Sequence, residues 1–237
     1  MRKIKYPGPM TSEYDLLTHT NPAFFKMQGQ AGKALKRLGA EKKSALILDL
    51  GCGTGYTTKS VLDSNPRAFV ISVDIEPGML RQLKKKLGGD YLKRVRPVEA
   101  DLLSFLKKTD SSSVDGVVSV LTIHNFGDSY RKKLVKEIFR ALRVGGLFVS
   151  SDKYYPKERH LQRKLSEGHI REICGNYAAM GRKDLFEGWK KHFIEDEKPG
   201  RVLVKDDFVA LLRKTGFKNI ALKKIAGLQM NLVAKKM

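Results

Sequence analysis

The sequence predicts an α/β fold: a mostly parallel, seven-stranded sheet with an antiparallel C-terminal hairpin and a helical cap. Three observations lead there. Short apolar runs alternate with helical patterns at the spacing of βαβ units. A glycine-rich turn, Gly51-Cys52-Gly53-Thr54-Gly55, follows the first clear run. Beyond the fifth run the alternation gives way to a helical pattern over about residues 157–200.

Ahead of the sheet, Asn21-Pro22 offers an N-cap and a proline at the first helical position, starting a helix toward Leu38. The first strand is 45–50 and a helix begins near Tyr56. The second strand is 69–74, and Pro77 opens a helix that runs through Leu87 and stops at Gly88-Gly89. Residues 95–100 and 114–120 read as strands three and four. A helix over 129–142 carries Leu134, Val135, Ile138 and Leu142 on one side, and Gly145-Gly146 turns the chain into a fifth strand, 147–151. In the cap, Leu185, Trp189 and Phe193 recur every four residues, an apolar stripe that needs a partner surface. Residues 206–214 form a further helix ended by Gly216, and 220–222 and 228–232 make a hairpin around Ala226-Gly227. This divides the chain into an N-terminal helical segment (1–44), a core (45–156), a cap (157–204) and a closing helix and hairpin (205–237).

Composition narrows the function classes. No apolar run approaches the roughly 20 residues that span a bilayer. The basic start, Met1-Arg2-Lys3-Ile4-Lys5, lacks the apolar stretch of a signal peptide. Cys52 and Cys174 sit in no spaced metal or redox motif, so a reducing cytoplasm is the expected setting. The outlying quantity is charge: 46 Lys+Arg against 25 Asp+Glu, a net +21. That balance attracts polyanions, although the basic clusters are scattered over helices where they need not share a face.

Glycines between a strand and a helix let a ligand approach backbone amides. Here Tyr56 stands where a dinucleotide fingerprint wants Gly or Ala, which disfavours a nicotinamide cofactor. No Gly-Lys-Ser/Thr follows, which excludes a phosphate P-loop. The run Leu48-Asp49-Leu50-Gly51-Cys52-Gly53-Thr54-Gly55 instead closely resembles the first motif of class I S-adenosylmethionine (SAM)-dependent methyltransferases, which have a Rossmann-like fold. The family's further motifs appear in order: Asp74 ending the second strand, Ala100-Asp101-Leu102 after the third, Ser119 to Asn125 leaving the fourth, and Leu142 to Leu147 before the fifth.

The resemblance implies SAM as cofactor. Asp74 would meet the ribose hydroxyls, Asp101 the adenine amino group, and Asp49 the ammonium, directly or through water. Gly51, Cys52, Gly53, Gly55, Ile75, Met79, Leu102 and Leu121 complete the implied cofactor-contacting set. The helical cap, Leu121-Thr122-Ile123-His124-Asn125 and Thr215-Gly216-Phe217 are similar to the branch that includes carboxy-SAM synthase, but no carboxylate-binding arginine can be placed.

Methyl transfer asks the protein to align an acceptor and exclude water, and a base only if the acceptor must lose a proton. His124, Asp152 and Tyr155 are the candidate catalytic residues, at the carboxyl ends of the strands beside Asn125 and Tyr154. His169, Tyr177 and His192 lie in the cap, where they line an acceptor pocket or simply pack. Metal-ligand spacing is absent; so are the Asn-Pro-Pro-Tyr and Pro-Cys signatures of base methylation. Three functions remain: a methyltransferase for a small molecule, one for RNA, and a non-catalytic SAM-binding partner, which the intact first motif argues against. The charge and the segment Lys153 to His160, mixing cations and aromatics, support RNA.

Overall fold

Strand β1 (Leu46–Leu50) runs parallel between β2 (Phe69–Asp74) and β4 (Val114–Val120). Outside them lie β3 (Val95–Glu99) and β5 (Leu142–Lys153), also parallel. Then β7 (Gln229–Lys236) pairs antiparallel with β5, and β6 (Phe217–Ala226) with β7. The order is β3-β2-β1-β4-β5-β7-β6, the sheet expected from the sequence. This computed structural model describes residues 9–36, 38, 44–196, 198 and 200–237, so the basic residues 1–5 lie outside the described residues.

All of β4 and the last four residues of β1 are buried, as apolar strands covered on both faces must be. One face carries α1 (Phe24–Ala34), α2 (Tyr56–Ser64) and α3 (Pro77–Leu87), packed through Met27, Val61 and Leu83. The other carries α4 (Leu102–Lys107), α5 (Asp128–Ala141) and α8 (Lys205–Thr215), packed through Leu106, Leu134 and Leu212. Between β5 and α8, helices α6 (Arg159–Ala179) and α7 (Lys183–Asp196) form the cap. Its stripe of Leu185, Trp189 and Phe193 packs with Ile173 and Tyr177 of α6 and with Leu17 and Phe24 of the N-terminal segment. The Asn176 side-chain amide donates to the Thr20 carbonyl at 2.9 Å and ties the two together.

Four elements differ from the sequence expectation. Asn21 does not cap a helix starting at Pro22; its side chain accepts from the Ala23 amide (3.1 Å) in a local turn, and α1 starts at Phe24. The fifth strand already begins at Leu142, because that residue pairs with Val114 ahead of a bulge that Gly145 (φ 84°) accommodates. The hairpin strands β6 and β7 also extend well past the apolar runs, since ladder hydrogen bonds continue through Lys235 and Lys236. Among the described residues no helix is long and apolar enough to cross a membrane.

Candidate functional site

The reversal of strand order at β1 and β4 opens a crevice at their carboxyl ends. A cavity of about 290 Å³ lies there, walled by Gly51, Gly53, Asp74, Ile75, Met79, Asp101, Leu102, Leu121, Thr122, Asn125 and Arg201, among others. The glycine loop forms its floor. Gly51 has φ 75°, and a Cβ there would sit 2.4 Å from the Thr122 side chain. Gly53 has φ 51°, and a Cβ there would meet only Tyr14 Cε1, at 3.9 Å. One glycine therefore permits a close approach inside the protein, and the other keeps open the space a ligand needs.

Three acidic residues, Asp74, Glu76 and Asp101, bound the cavity on the β2–β3 side. Asp74 Oδ2 accepts from the Gly53 amide (2.9 Å) and Oδ1 from the Glu76 amide (2.9 Å), which orients the carboxylate and leaves further lone pairs for a diol. Burial raises its pKa despite these bonds. Asp101 caps α4 by accepting from the Ser104 amide and also accepts from the Tyr130 hydroxyl, both at 2.9 Å.

Three residues implied as cofactor contacts lie behind the cavity wall. Asp49 is fully buried beneath the loop, where Thr58 donates to its Oδ2 at 2.6 Å and its Oδ1 has no partner among the described residues. Burial pushes its pKa up to about 7. Cys52 is buried in the α1–α3 core. Gly55 is the N-cap of α2, and a Cβ there would lie 2.9 Å from Leu83. These residues shape the loop from below.

Sequence reasoning missed the N-terminal contribution. Tyr14 lines the cavity, while Asp15 accepts from Thr54 (2.6 Å) and pairs with Lys86 (2.7 Å). The Lys86 ammonium also sits 3.3 Å from the centre of the Tyr56 ring. Nothing periodic marks such a strap in sequence, since its partners are about 40 and 70 residues away.

At the opposite end, Leu121 is held at φ 51° with its amide donating to the Ser151 carbonyl at 2.9 Å. This backbone is unusual for leucine and depends on the surrounding structure to persist. The following turn, Ile123–Asn125, hangs from Asp152. Asp152 Oδ2 accepts from the amides of Thr122 (3.3 Å) and His124 (3.2 Å), and Oδ1 faces His124 Nδ1 at 2.5 Å. Burial alone would raise the Asp152 pKa, but His124 and Lys153 hold it below the usual carboxylate range.

The other imidazole nitrogen, Nε2, faces Asp196 Oδ2 of α7 at 3.5 Å. Lys153 Nζ (3.0 Å) and His192 Nε2 (3.6 Å) converge on the same oxygen. Burial lowers the pKa of His169 to about 3 and of His192 to about 4. Burial opposes ionisation of Asp196, but Lys153, His124 and His192 together outweigh it and bring the carboxyl down to about 2.

The remaining candidates separate. Tyr155 does not join His124; its backbone pairs with Leu203, and it lines a second cavity of about 670 Å³. Its neighbours there include Arg131, Lys132, Arg159 and Arg163. Tyr154 is buried in the core beneath α4, α5 and α8, donating to Ser150 Oγ at 2.8 Å. Tyr177 is fully buried in the cap core and His169 packs edge-on to Phe193. Arg201 lines the cofactor-side cavity, donates to the Asn125 carbonyl at 3.0 Å, and leaves its buried Nε without a partner among the described residues. It follows the cap, far from any strand motif, and no sequence pattern singled it out.

Comparison with known proteins agrees with this geometry. Residues 47–146 match a family model described as a methyltransferase domain. A carboxy-S-adenosyl-L-methionine synthase of Pectobacterium atrosepticum is 26% identical over 66% of this chain and 62% of that protein. A malonyl-[acyl-carrier protein] O-methyltransferase of Acetivibrio thermocellus is 35% identical over 54% of this chain and 44% of that protein. The chain thus spans less than two thirds of either relative. A SAM-dependent methyltransferase from Archaeoglobus fulgidus superposes with a TM-score of 0.59 at 14% identity, covering 88% of this chain and 94% of that one.

Proposed function

We propose, for a chain that belongs to the class I SAM-dependent methyltransferases, that it moves the methyl group of SAM onto a small-molecule acceptor. The observation that carries this reading is the single cavity in which the Gly51–Gly53 floor and Asp74 lie at one end and Thr122, Asn125 and Arg201 at the other. The walls fit SAM: Gly53 keeps open space that a side chain would fill, and an oriented carboxylate stands where a ribose diol binds.

When bound, SAM supplies an electrophilic methyl on a sulfonium leaving group. The protein's own contribution is to align and to exclude water. Asp74 receives the ribose hydroxyls, and Asp101, Ile75, Met79 and Leu102 surround the base. Asp152 holds the Ile123–Asn125 turn through the His124 ring and amide, so that Thr122 and Asn125 face the acceptor. His124 is a positioning residue in this scheme, because its free edge is turned toward Asp196. The cap packs behind Tyr14 and Leu121, two residues of the cavity wall, which favours an acceptor small enough to enter between those walls.

The test is to incubate purified protein with methyl-labelled SAM and a cell extract, then count label in small molecules, protein and RNA. Label in the small-molecule fraction is the expected outcome. Label in RNA would select a second reading, which the net charge of +21 and the arginine-lined cavity beside Tyr155 favour. Arg201 supports a narrower version of the first reading, in which acceptor or transferred group carries a carboxylate, as the name of the Pectobacterium relative suggests for that protein.

A further inference from the structure

We propose that His124, His192 and Asp196 bind a divalent first-row transition metal ion that ties the cap to the sheet. One ring nitrogen each of His124 and His192 and a carboxylate oxygen of Asp196 all lie within 4.8 Å of one another. The two imidazole nitrogens stand 3.5 and 3.6 Å from Asp196 Oδ2. Ligands about 2.0–2.1 Å from a tetrahedral zinc-type ion are about 3.3 Å apart, so closure needs shifts of only a few tenths of an ångström on those edges. Two imidazoles with one carboxylate suit zinc or iron(II) rather than magnesium or calcium, which favour oxygen.

Three features beyond proximity support the site. His192 and Asp196 are one helical turn apart on α7 and present both groups to the same side, toward the turn that follows β4. Asp152 grips Nδ1 of His124 at 2.5 Å, the outer-shell carboxylate that fixes a ligating imidazole with Nε2 toward the ion. Asp196 is 4% exposed, and its Oδ1 has no hydrogen-bond partner among the described residues. Lys153 Nζ contacts the same Oδ2 at 3.0 Å, so the ion would share that oxygen with the ammonium, and the unpartnered Oδ1 gives the carboxylate a second donor atom. Because one ligand belongs to the core and two to the cap, the ion would clamp α7 over the turn that presents Thr122 and Asn125 to the cofactor cavity.

The experiment starts from protein stripped with a chelator and dialysed, then titrated with zinc chloride and, anaerobically, with iron(II). Bound metal is read by calorimetry and elemental analysis, and SAM binding is measured on the same samples. About one ion per chain is expected, with a higher Tm for the metal-bound form. His192→Phe, which leaves the Lys153–Asp196 pair intact, and Asp196→Asn should each weaken metal binding at least tenfold. Asp152→Asn should weaken it by about 10–100-fold through the orientation of His124. His192→Phe should bind SAM as the parent does, so loss of metal with retained SAM binding separates this site from the cofactor site. Parent protein that binds SAM but takes up no ion overturns the proposal and leaves the methyltransferase reading standing. Equal metal affinity in folded His192→Phe and parent also overturns it. Failure to bind SAM at all would count against the proposed function instead.

Discussion

The Gly53 amide donates to Asp74 Oδ2 at 2.9 Å, so the glycine loop after β1 and the acid ending β2 form one unit. The carboxylate helps to hold the loop against β2, and the loop, with the Glu76 amide, aims the carboxylate. Asp74→Ala should therefore raise the Kd for SAM at least tenfold, since hydrogen bonds to charged groups are worth about 1.5–3 kcal/mol each. Calorimetric titration reads this directly. Unchanged affinity would remove Asp74 from the ribose.

The last two glycines of the loop should respond differently to alanine. Gly53→Ala places a methyl in the cavity with no protein atom nearer than 3.9 Å, so SAM affinity should drop more than Tm. Gly55→Ala drives Cβ to 2.9 Å from Leu83, so Tm should drop first. Thermal melts paired with SAM titrations distinguish the two, and the reverse pattern would refute this division.

His124→Ala should slow turnover about tenfold or more while leaving SAM affinity within a factor of a few. The ring orders the turn carrying Thr122 and Asn125, yet it is not a wall of the cofactor cavity. Steady-state kinetics with a separate measurement of SAM binding is the check. An unaffected rate would remove the residue from the acceptor end.

Asp49 makes a stability prediction with a definite sign. Burial raises its pKa in the folded protein to about 7 from an ordinary value of 3.8. Between those pH values the folded chain retains a proton that the unfolded chain has released. This carboxyl's contribution to stability is thus full below about pH 4, falls as pH rises, and levels off above 7. Asp49→Asn has no such proton to lose. Denaturant melts without cofactor should show the parent losing stability relative to the variant across that window. Parallel curves would mean that the carboxyl titrates normally.

Trp189→Ala should destabilise the cap by about 3–5 kcal/mol, the cost of emptying a buried aromatic site. Trp189 is 3% exposed and stacks between Tyr177 and Phe193. Protease susceptibility of α6 and α7 should rise well before the sheet unfolds. Uniform loss of all structure would show that cap and core fold as one unit.

Local and periodic information was enough to read the core. The strand runs and the glycine turn stand where backbone hydrogen bonding and side-chain burial require them, so one short window suffices for each, and the acids Asp74 and Asp101 were legible through their resemblance to a family's motifs. The stripe of Leu185, Trp189 and Phe193 likewise declared that α7 would be covered, but its partners Leu17 and Phe24 lie more than 150 residues away and have no spacing rule to announce them. Distance in sequence also hid the roles of Tyr14 and Arg201, and it separated Tyr155 from the site that proximity to Asp152 had suggested. The meeting of His124 and Asp152 with His192 and Asp196 was decided by tertiary structure alone, because it depends on how α7 packs over the end of β4. Sequence determined which elements form and which faces they bury, since those follow from backbone geometry and hydrophobicity within a few turns of chain. The seating of the cap against the N-terminal strap, behind one wall of the crevice, is set by contacts whose loops are far too long for any local pattern to encode.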